Sequence, residues 1–175
     1  MMRNLKFLVF IFTCFSNCSF IAMQSGPTKM VMGLLYPFTK QVDASQIKQW
    51  QTYVASVGTL VSNAKNSALS KEYNNLSILN DAIINTIKFV KNSSARNDKI
   101  NLVKGFFERK DLFGNKTAID FITTIRNNLH SPSMFASSKT KEAYSKVSSL
   151  VRDLTVLIDS MQNDFKRLDN LAKQN

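Results

Sequence analysis

The sequence predicts an all-α protein, a compact antiparallel bundle of about five amphipathic helices that ends in one long C-terminal helix. Three observations support this fold class. Apolar side chains recur at alternating steps of three and four residues after Asp43, the spacing of one helical face. The chain has only five glycines and three prolines, whereas sheets with many turns need more of both. No strand-like alternation competes with these stripes.

Length and composition set the class of protein. A chain of 175 residues is expected to form one domain, and 44% hydrophobic with 20% charged residues is ordinary globular composition. We therefore expect a sizeable core and exclude a disordered chain.

Residues 1–22 predict a secretory signal segment. Arg3 and Lys6 precede an almost wholly apolar run at 7–15, and a patch of mostly small and polar residues follows at 16–22. The run is shorter than the ~20 residues of a membrane-spanning helix. We expect export to a secreted, periplasmic or surface-attached location, and the alternative is an uncleaved anchor.

Both cysteines of the chain, Cys14 and Cys18, lie in this leader. Cleavage before Cys18 would allow lipidation, although Asn17 stands where a bacterial lipoprotein has a small residue. The mature domain then has no thiol for a disulfide, a metal site or a nucleophile, and its stability depends on its core.

Residues 23–43 predict an irregular arm ahead of the bundle, which is expected at 44–175. The arm is interrupted by four helix-breaking residues, Gly26, Pro27, Gly33 and Pro37. It also carries the apolar residues Met30, Met32, Leu34, Leu35, Tyr36 and Phe38. Because such a patch is sticky when exposed, we expect the arm to pack on the bundle, with at most one short helical turn.

The first helix is predicted at 44–66, with Asp43 supplying a side-chain acceptor for its free amide groups. Its apolar stripe consists of Ile47, Trp50, Val54, Val57, Val61 and Ala64. Gly58 lies inside this helix, where glycine costs about 1 kcal/mol relative to alanine. We therefore expect a neighbouring helix to approach closely at Gly58.

The second helix is predicted at 71–91 with Ser70 as its cap, and the third at 98–109. Glu72 suits the positive start of the second helix. The stripe of the second helix consists of Leu76, Leu79, Ile83, Ile87 and Val90. The third helix is expected to bury Ile100, Val103, Phe106 and Phe107.

The fourth helix is predicted at 116–130, with Asn115 as its cap and Pro132 just beyond its end. The fifth is predicted at 139–173, and its apolar residues keep the helical step for about 30 residues, or about 45 Å. That long stripe suits a dimer interface or an intramolecular core, so an oligomer is possible.

The chain is strongly basic, with a formal net charge of +11 and a pI near 9.8. Removal of a leader carrying Arg3 and Lys6 leaves 21 of the 23 basic residues against 12 acidic ones, a net charge of +9. We predict an anion-binding surface formed by Lys88, Lys91, Arg96, Lys99, Lys104, Arg109, Lys110 and Lys116. The alternative is a solvated helix face of mixed sign that keeps the protein soluble.

Residues 125–130, Ile-Arg-Asn-Asn-Leu-His, resemble the arginine and histidine motif of HEPN-type ribonucleases. The resemblance covers six residues and departs from that pattern, since three residues separate Arg126 from His130 where the family usually has at least four. It implies a metal-independent ribonuclease, in which Arg126 holds a phosphate and His130 moves a proton. On a helix the two side chains would share a face. The alternative is structural, with His130 as a polar residue in the last turn of the fourth helix.

Other chemistries find no support in the residues. One histidine and no thiol in the mature domain argue against zinc, and no phosphate-binding glycine loop occurs. We expect no cofactor.

We therefore interpret the chain as an exported, non-catalytic binding protein. Its expected partner is an anionic macromolecule or an acidic protein surface. The alternatives are the secreted ribonuclease with Arg126 and His130, and a structural protein associated with the cell envelope.

Overall fold

The computed structural model describes residues 34–38 and 42–173, with side chains described as far as Asn170. It contains the helices α1 (Ala44–Ala64), α2 (Ser67–Asn92), α3 (Arg96–Glu108), α4 (Ala118–Asn128) and α5 (Ser138–Lys173). A single 3-10 turn, Asp111–Phe113, lies between α3 and α4. Within these ranges the chain is helical with no strands, which confirms the predicted all-α bundle. The predicted leader and most of the arm lie outside the described residues.

Helices α2 and α5 form the centre of the bundle, because each of them packs against all four other helices. Six apolar side chains on the inward face of α5 are completely inaccessible to solvent, namely Ala143, Val147, Leu150, Leu154, Leu157 and Met161. These side chains therefore form the core of a single chain. No described helix combines the length and the apolar character needed to cross a bilayer.

Polar side chains fix the starts of the helices. Asp43 caps α1 as predicted, and its Oδ1 accepts from the Ser45 amide at 3.1 Å. The Asp43 amide in turn donates to Gln46 Oε1, which completes a capping box. The cap of α2 is Asn66, whose Oδ1 accepts from the Leu69 amide at 3.0 Å. The prediction of Ser70 was wrong because α2 begins four residues earlier than predicted, and the Ser70 hydroxyl donates to the Asn66 carbonyl.

The cap predicted for the fourth helix was also wrong. Asn115 has a left-handed backbone, with φ of 64°, directly after the left-handed Gly114. Thr117 caps α4 instead, and its hydroxyl accepts from the Asp120 amide at 3.2 Å. At the other end α4 stops at Asn128, so the helix is shorter than predicted at both ends.

The contact between α1 and α2 is closed by two aromatic residues. A Cβ placed on Gly58 would lie 2.6 Å from Cζ of Tyr73, which confirms the expected close approach at this glycine. The Tyr73 hydroxyl donates to the Val54 carbonyl at 3.0 Å. Nearby, the buried indole of Trp50 donates to Asn80 Oδ1 at 2.7 Å. Two hydrogen bonds and the close contact at Gly58 therefore hold α1 against α2.

The described part of the arm lies along α5. Leu34, Phe38 and Val42 are buried. The Tyr36 amide donates to Ser160 Oγ at 2.8 Å, and the Phe38 amide donates to Oδ2 of the fully buried Asp164 at 2.7 Å. Side chains of the last helix thus satisfy backbone groups of the arm.

Candidate functional site

Large apolar side chains left at the surface are concentrated between α2 and α3. Ile78 and Phe89 on α2 are 50% and 62% exposed, while Leu102 on α3 and Leu112 on the following turn are 38% and 40% exposed. All four line one groove of about 910 Å³. We call it the α2/α3 groove, and it is also lined by Asp81, Ala82, Asn85, Thr86, Ser93, Asp98, Asn101, Gly105, Phe106 and Arg109.

The groove exists because α2 is apolar on more than one face. Leu76, Leu79 and Ile83 point into the core with no exposed surface, whereas Ile78 and Phe89 lie on another side of the same helix. Helix α3 opposes that side with Gly105, where an added Cβ would meet no atom within 4 Å. From Ile78 to Ser93 the groove follows α2 for about 22 Å.

The unpaired charges of the groove are acidic. Asp81 and Asp98 are exposed in its lining, and neither forms an ion pair with any described residue. Asp81 receives only a neighbouring amide, Asn80 Nδ2, at 3.3 Å. Arg109 is the one cation of the lining. Its Nε and Nη2 donate to the two carboxylate oxygens of Asp111, at 3.1 and 2.7 Å. This hydrogen bonding lowers the pKa of the Asp111 carboxyl and raises the pKa of Arg109.

Four of the eight basic residues of the predicted anion-binding surface have a local partner. Arg109 is paired with Asp111, and Lys104 lies 3.8 Å from Glu108. Lys91 donates to the Val42 carbonyl, and Lys116 to the Thr124 hydroxyl. The described clefts bring together only Lys91 and Lys99, beside the arm in a space of about 160 Å³. The side chains of Lys88, Arg96 and Lys110 form no hydrogen bond or ion pair with the described residues.

Arg126 and His130 do not share a helical face. Because α4 ends at Asn128, His130 lies in the following loop, and the expectation of a common face was wrong. The His130 amide bonds the Asn128 carbonyl at 3.1 Å, which turns the chain away from the helix axis. Arg126 lines one cleft with Arg152, while His130 lines another.

The cleft at His130 holds a carboxylate that the sequence did not single out as a site residue. Glu72 is 6% exposed and accepts from Asn75 Nδ2 and Asn128 Nδ2, both at 3.4 Å. Tyr144 also lines this space of about 340 Å³, and its hydroxyl lies 3.2 Å from Ser131 Oγ. Glu72 was predicted to complement the helix start. It is buried because it lies three residues after the buried Leu69 and four before the buried Leu76, on the inward face of α2.

A second polar feature lies between α1 and α5. Tyr53 Oη and Asp153 Oδ2 are buried and have no hydrogen-bond partner among the described residues. Burial, and then the nearby Asp153 carboxylate, raise the pKa of Tyr53 to about 12. Burial also raises the pKa of Asp153, an effect that Arg152 at 3.6 Å opposes. This pair lies in a helix interface, where its unsatisfied polar atoms lower the stability of the fold.

Among the described residues, no group of three or more histidine, cysteine or carboxylate side chains could hold a metal ion. No protein-family model, no curated protein and no solved structure matches the chain.

Proposed function

We propose that the chain is an exported, non-catalytic binding protein and that it binds a helical segment of a partner protein in the α2/α3 groove. One observation carries this proposal. Four large apolar side chains, Ile78, Phe89, Leu102 and Leu112, remain exposed around a floor that Gly105 leaves open. Export is proposed from the signal-like residues 1–22.

The dimensions of the groove suit a helix. Partner helices bind in apolar grooves through side chains spaced three, four and seven residues apart. A length of about 22 Å accommodates about 15 helical residues, or four turns. Contiguous apolar patches on a protein surface commonly mark interaction sites, because their exposure to water is unfavourable.

Binding of a polyanion has less support as the function of this chain. Phosphate tracking needs several cations along one path. Here Lys91, Lys104, Arg109 and Lys116 each have a local partner. The excess positive charge is better explained as a solvated surface.

A defined peptide tests the proposal. The probe is a fluorescent amphipathic peptide of about 15 residues with leucine at helical spacing and glutamine elsewhere. We expect saturable binding to the full chain and a loss of at least about tenfold in affinity for both Phe89→Ser and Gly105→Gln. Glutamine is a good helix former and places a polar side chain on the floor of the groove.

Two variants control for unrelated effects. Gly105→Ala adds one methyl group to the same position, and Phe135→Ser removes an apolar residue that is 94% exposed outside the groove. Both are expected to bind as the parent chain does. Absence of saturable binding, or equal affinity in all five proteins, would refute the proposal.

The ribonuclease alternative stays a prediction. It would be supported if the purified chain degrades RNA and the variant His130→Ala does not. An envelope-associated structural role predicts no binding of the peptide and no salt-dependent retention on heparin.

A further inference from the structure

We infer that the segment bound in the α2/α3 groove is a basic amphipathic helix, one that carries lysine or arginine beside its apolar stripe. The inference rests on the proposed function and specifies the chemistry of its partner. It reverses the expectation from net charge, since a chain of +11 would ordinarily select an acidic partner.

The argument begins with the carboxylates of the groove. Asp81 on α2 and Asp98 on α3 place one exposed negative charge on each wall. Neither has an ion-pair partner in the part of the chain that the structure describes. Arg109 does not offset them, because Asp111 already binds its guanidinium group in a two-point contact. The charge available to a bound helix is therefore negative.

Screening by salt limits which charges of the chain act on a helix bound in the groove. At physiological ionic strength the Debye length is about 8 Å, so charges beyond that distance contribute little. A helix seated in the groove lies directly against Asp81 and Asp98, whereas Arg109 is the one member of the predicted basic set in the lining. The lining itself therefore favours a basic segment, and its two carboxylates act against Lys88, Lys99, Lys104 and Lys110, which adjoin lining residues in the sequence.

A second copy of the chain is a poorer occupant. In a two-fold symmetric contact each patch meets an identical patch. The two walls would then bring four carboxylates together, with the only cation of the lining already paired. Like charges facing each other disfavour such an interface.

Two peptides with one apolar face test the inference. One carries lysine and the other glutamate beside the leucine stripe, and each is titrated into the full chain at about 0.15 M salt. The chain is used as recovered, with its N-terminus fixed by intact mass. An exposed ion pair strengthens binding by roughly twofold to fivefold, so exchanging two repulsive pairs for two attractive ones gives a preference on the order of tenfold for the lysine peptide.

Matched variants assign the preference to the groove. The double variant Asp81→Asn with Asp98→Asn is expected to bind both peptides with equal affinity, so that the preference for the lysine peptide is lost. Glu142→Gln with Asp159→Asn changes the net charge equally on exposed positions of α5 outside the groove, and should retain the preference.

The possible outcomes are distinguishable. If both peptides bind the groove with equal affinity, or the glutamate peptide binds more tightly, the inference is wrong and the proposed function stands. If neither peptide binds, both are wrong. If the parent chain is a dimer that Gly105→Gln converts to a monomer, the groove is occupied by a second copy and the inference is overturned.

Discussion

Helix α2 lies beside Gly58 of α1 on one side and beside Gly105 of α3 on another, and the two glycines have opposite surroundings. Facing α1, the ring of Tyr73 covers Gly58 so closely that a Cβ there would lie 2.6 Å from Cζ. Facing outward beside α3, Gly105 has no atom within 4 Å of the position of an added Cβ. Both glycines lie in helix interiors, where glycine is costly. At Gly58 the cost allows close packing of two helices, whereas at Gly105 it leaves space at the floor of a groove.

This difference separates a surface that stabilises the fold from one that is available to a partner. On the closed side, Trp50 donates a buried hydrogen bond to Asn80 and is fully inaccessible to solvent. On the open side, Phe89 exposes 62% of its surface to water. Substitutions in the two regions should therefore affect different measured quantities.

Truncation of the aromatic residue in each region gives the largest expected contrast. Trp50→Ala should lower the free energy of unfolding by about 3–5 kcal/mol, because it leaves a cavity and an unsatisfied Asn80. Phe89→Ala should lower it by less than about 1 kcal/mol, since most of this side chain is already hydrated. Urea denaturation of both variants measures the difference, and equal losses would contradict the contrast.

Gly58→Ala should lower the free energy of unfolding by about 1–3 kcal/mol, because the new methyl group overlaps the ring of Tyr73. Removal of the ring in Tyr73→Ala tests the cause. If the overlap is responsible, the double variant Gly58→Ala with Tyr73→Ala should lose less than the sum of the two single losses. Additive losses would show that Gly58 is needed for another reason.

Asp153→Asn should raise the melting temperature at neutral pH, with a gain in free energy of unfolding on the order of 1 kcal/mol. Burial raises the pKa of this carboxyl above 3.8, so the folded chain holds the proton more tightly than the unfolded chain. Ionisation therefore costs stability as the pH rises above 3.8 and through the raised value.

Thermal unfolding from acid to neutral pH measures this effect. The gain from Asp153→Asn should vanish at pH values below 3.8, where the aspartate is protonated in both states. A gain that is equal at all pH values would contradict the assignment.

Gly105→Ala gives the smallest expected effect, a gain of up to about 1 kcal/mol in the free energy of unfolding. Alanine restricts the unfolded chain and meets no atom in the folded one. Urea denaturation beside Gly58→Ala measures it, and a loss at both positions would remove the distinction between the two sides of α2.

The sequence predicted the helices well because helical periodicity needs only local spacing. Nine of the ten helix ends lie within two residues of the predicted ones, and the exception is the start of α2. The caps of α2 and α4 were wrong because several polar residues precede each stripe, and Asn66 and Thr117 were not distinguishable from Ser70 and Asn115 by propensity alone.

The groove was not predictable from the sequence. An apolar stripe identifies a face, but it does not say whether another helix covers that face. Ile78 and Leu102 are aliphatic residues outside the predicted stripes, and only the packing of α2 against α3 shows that they border one groove. The contact of Glu72 with Asn128 was likewise not predictable, since it depends on the packing of α4 against α2.

The most direct test of the account is the amide chemical-shift map of the chain on addition of the lysine peptide. The account predicts shifts confined to residues 78–112, with the Gly105 amide among the largest and the amides around Gly58 unchanged. Shifts centred on α1, or on the cleft of His130, would contradict the assignment of the α2/α3 groove as the binding surface.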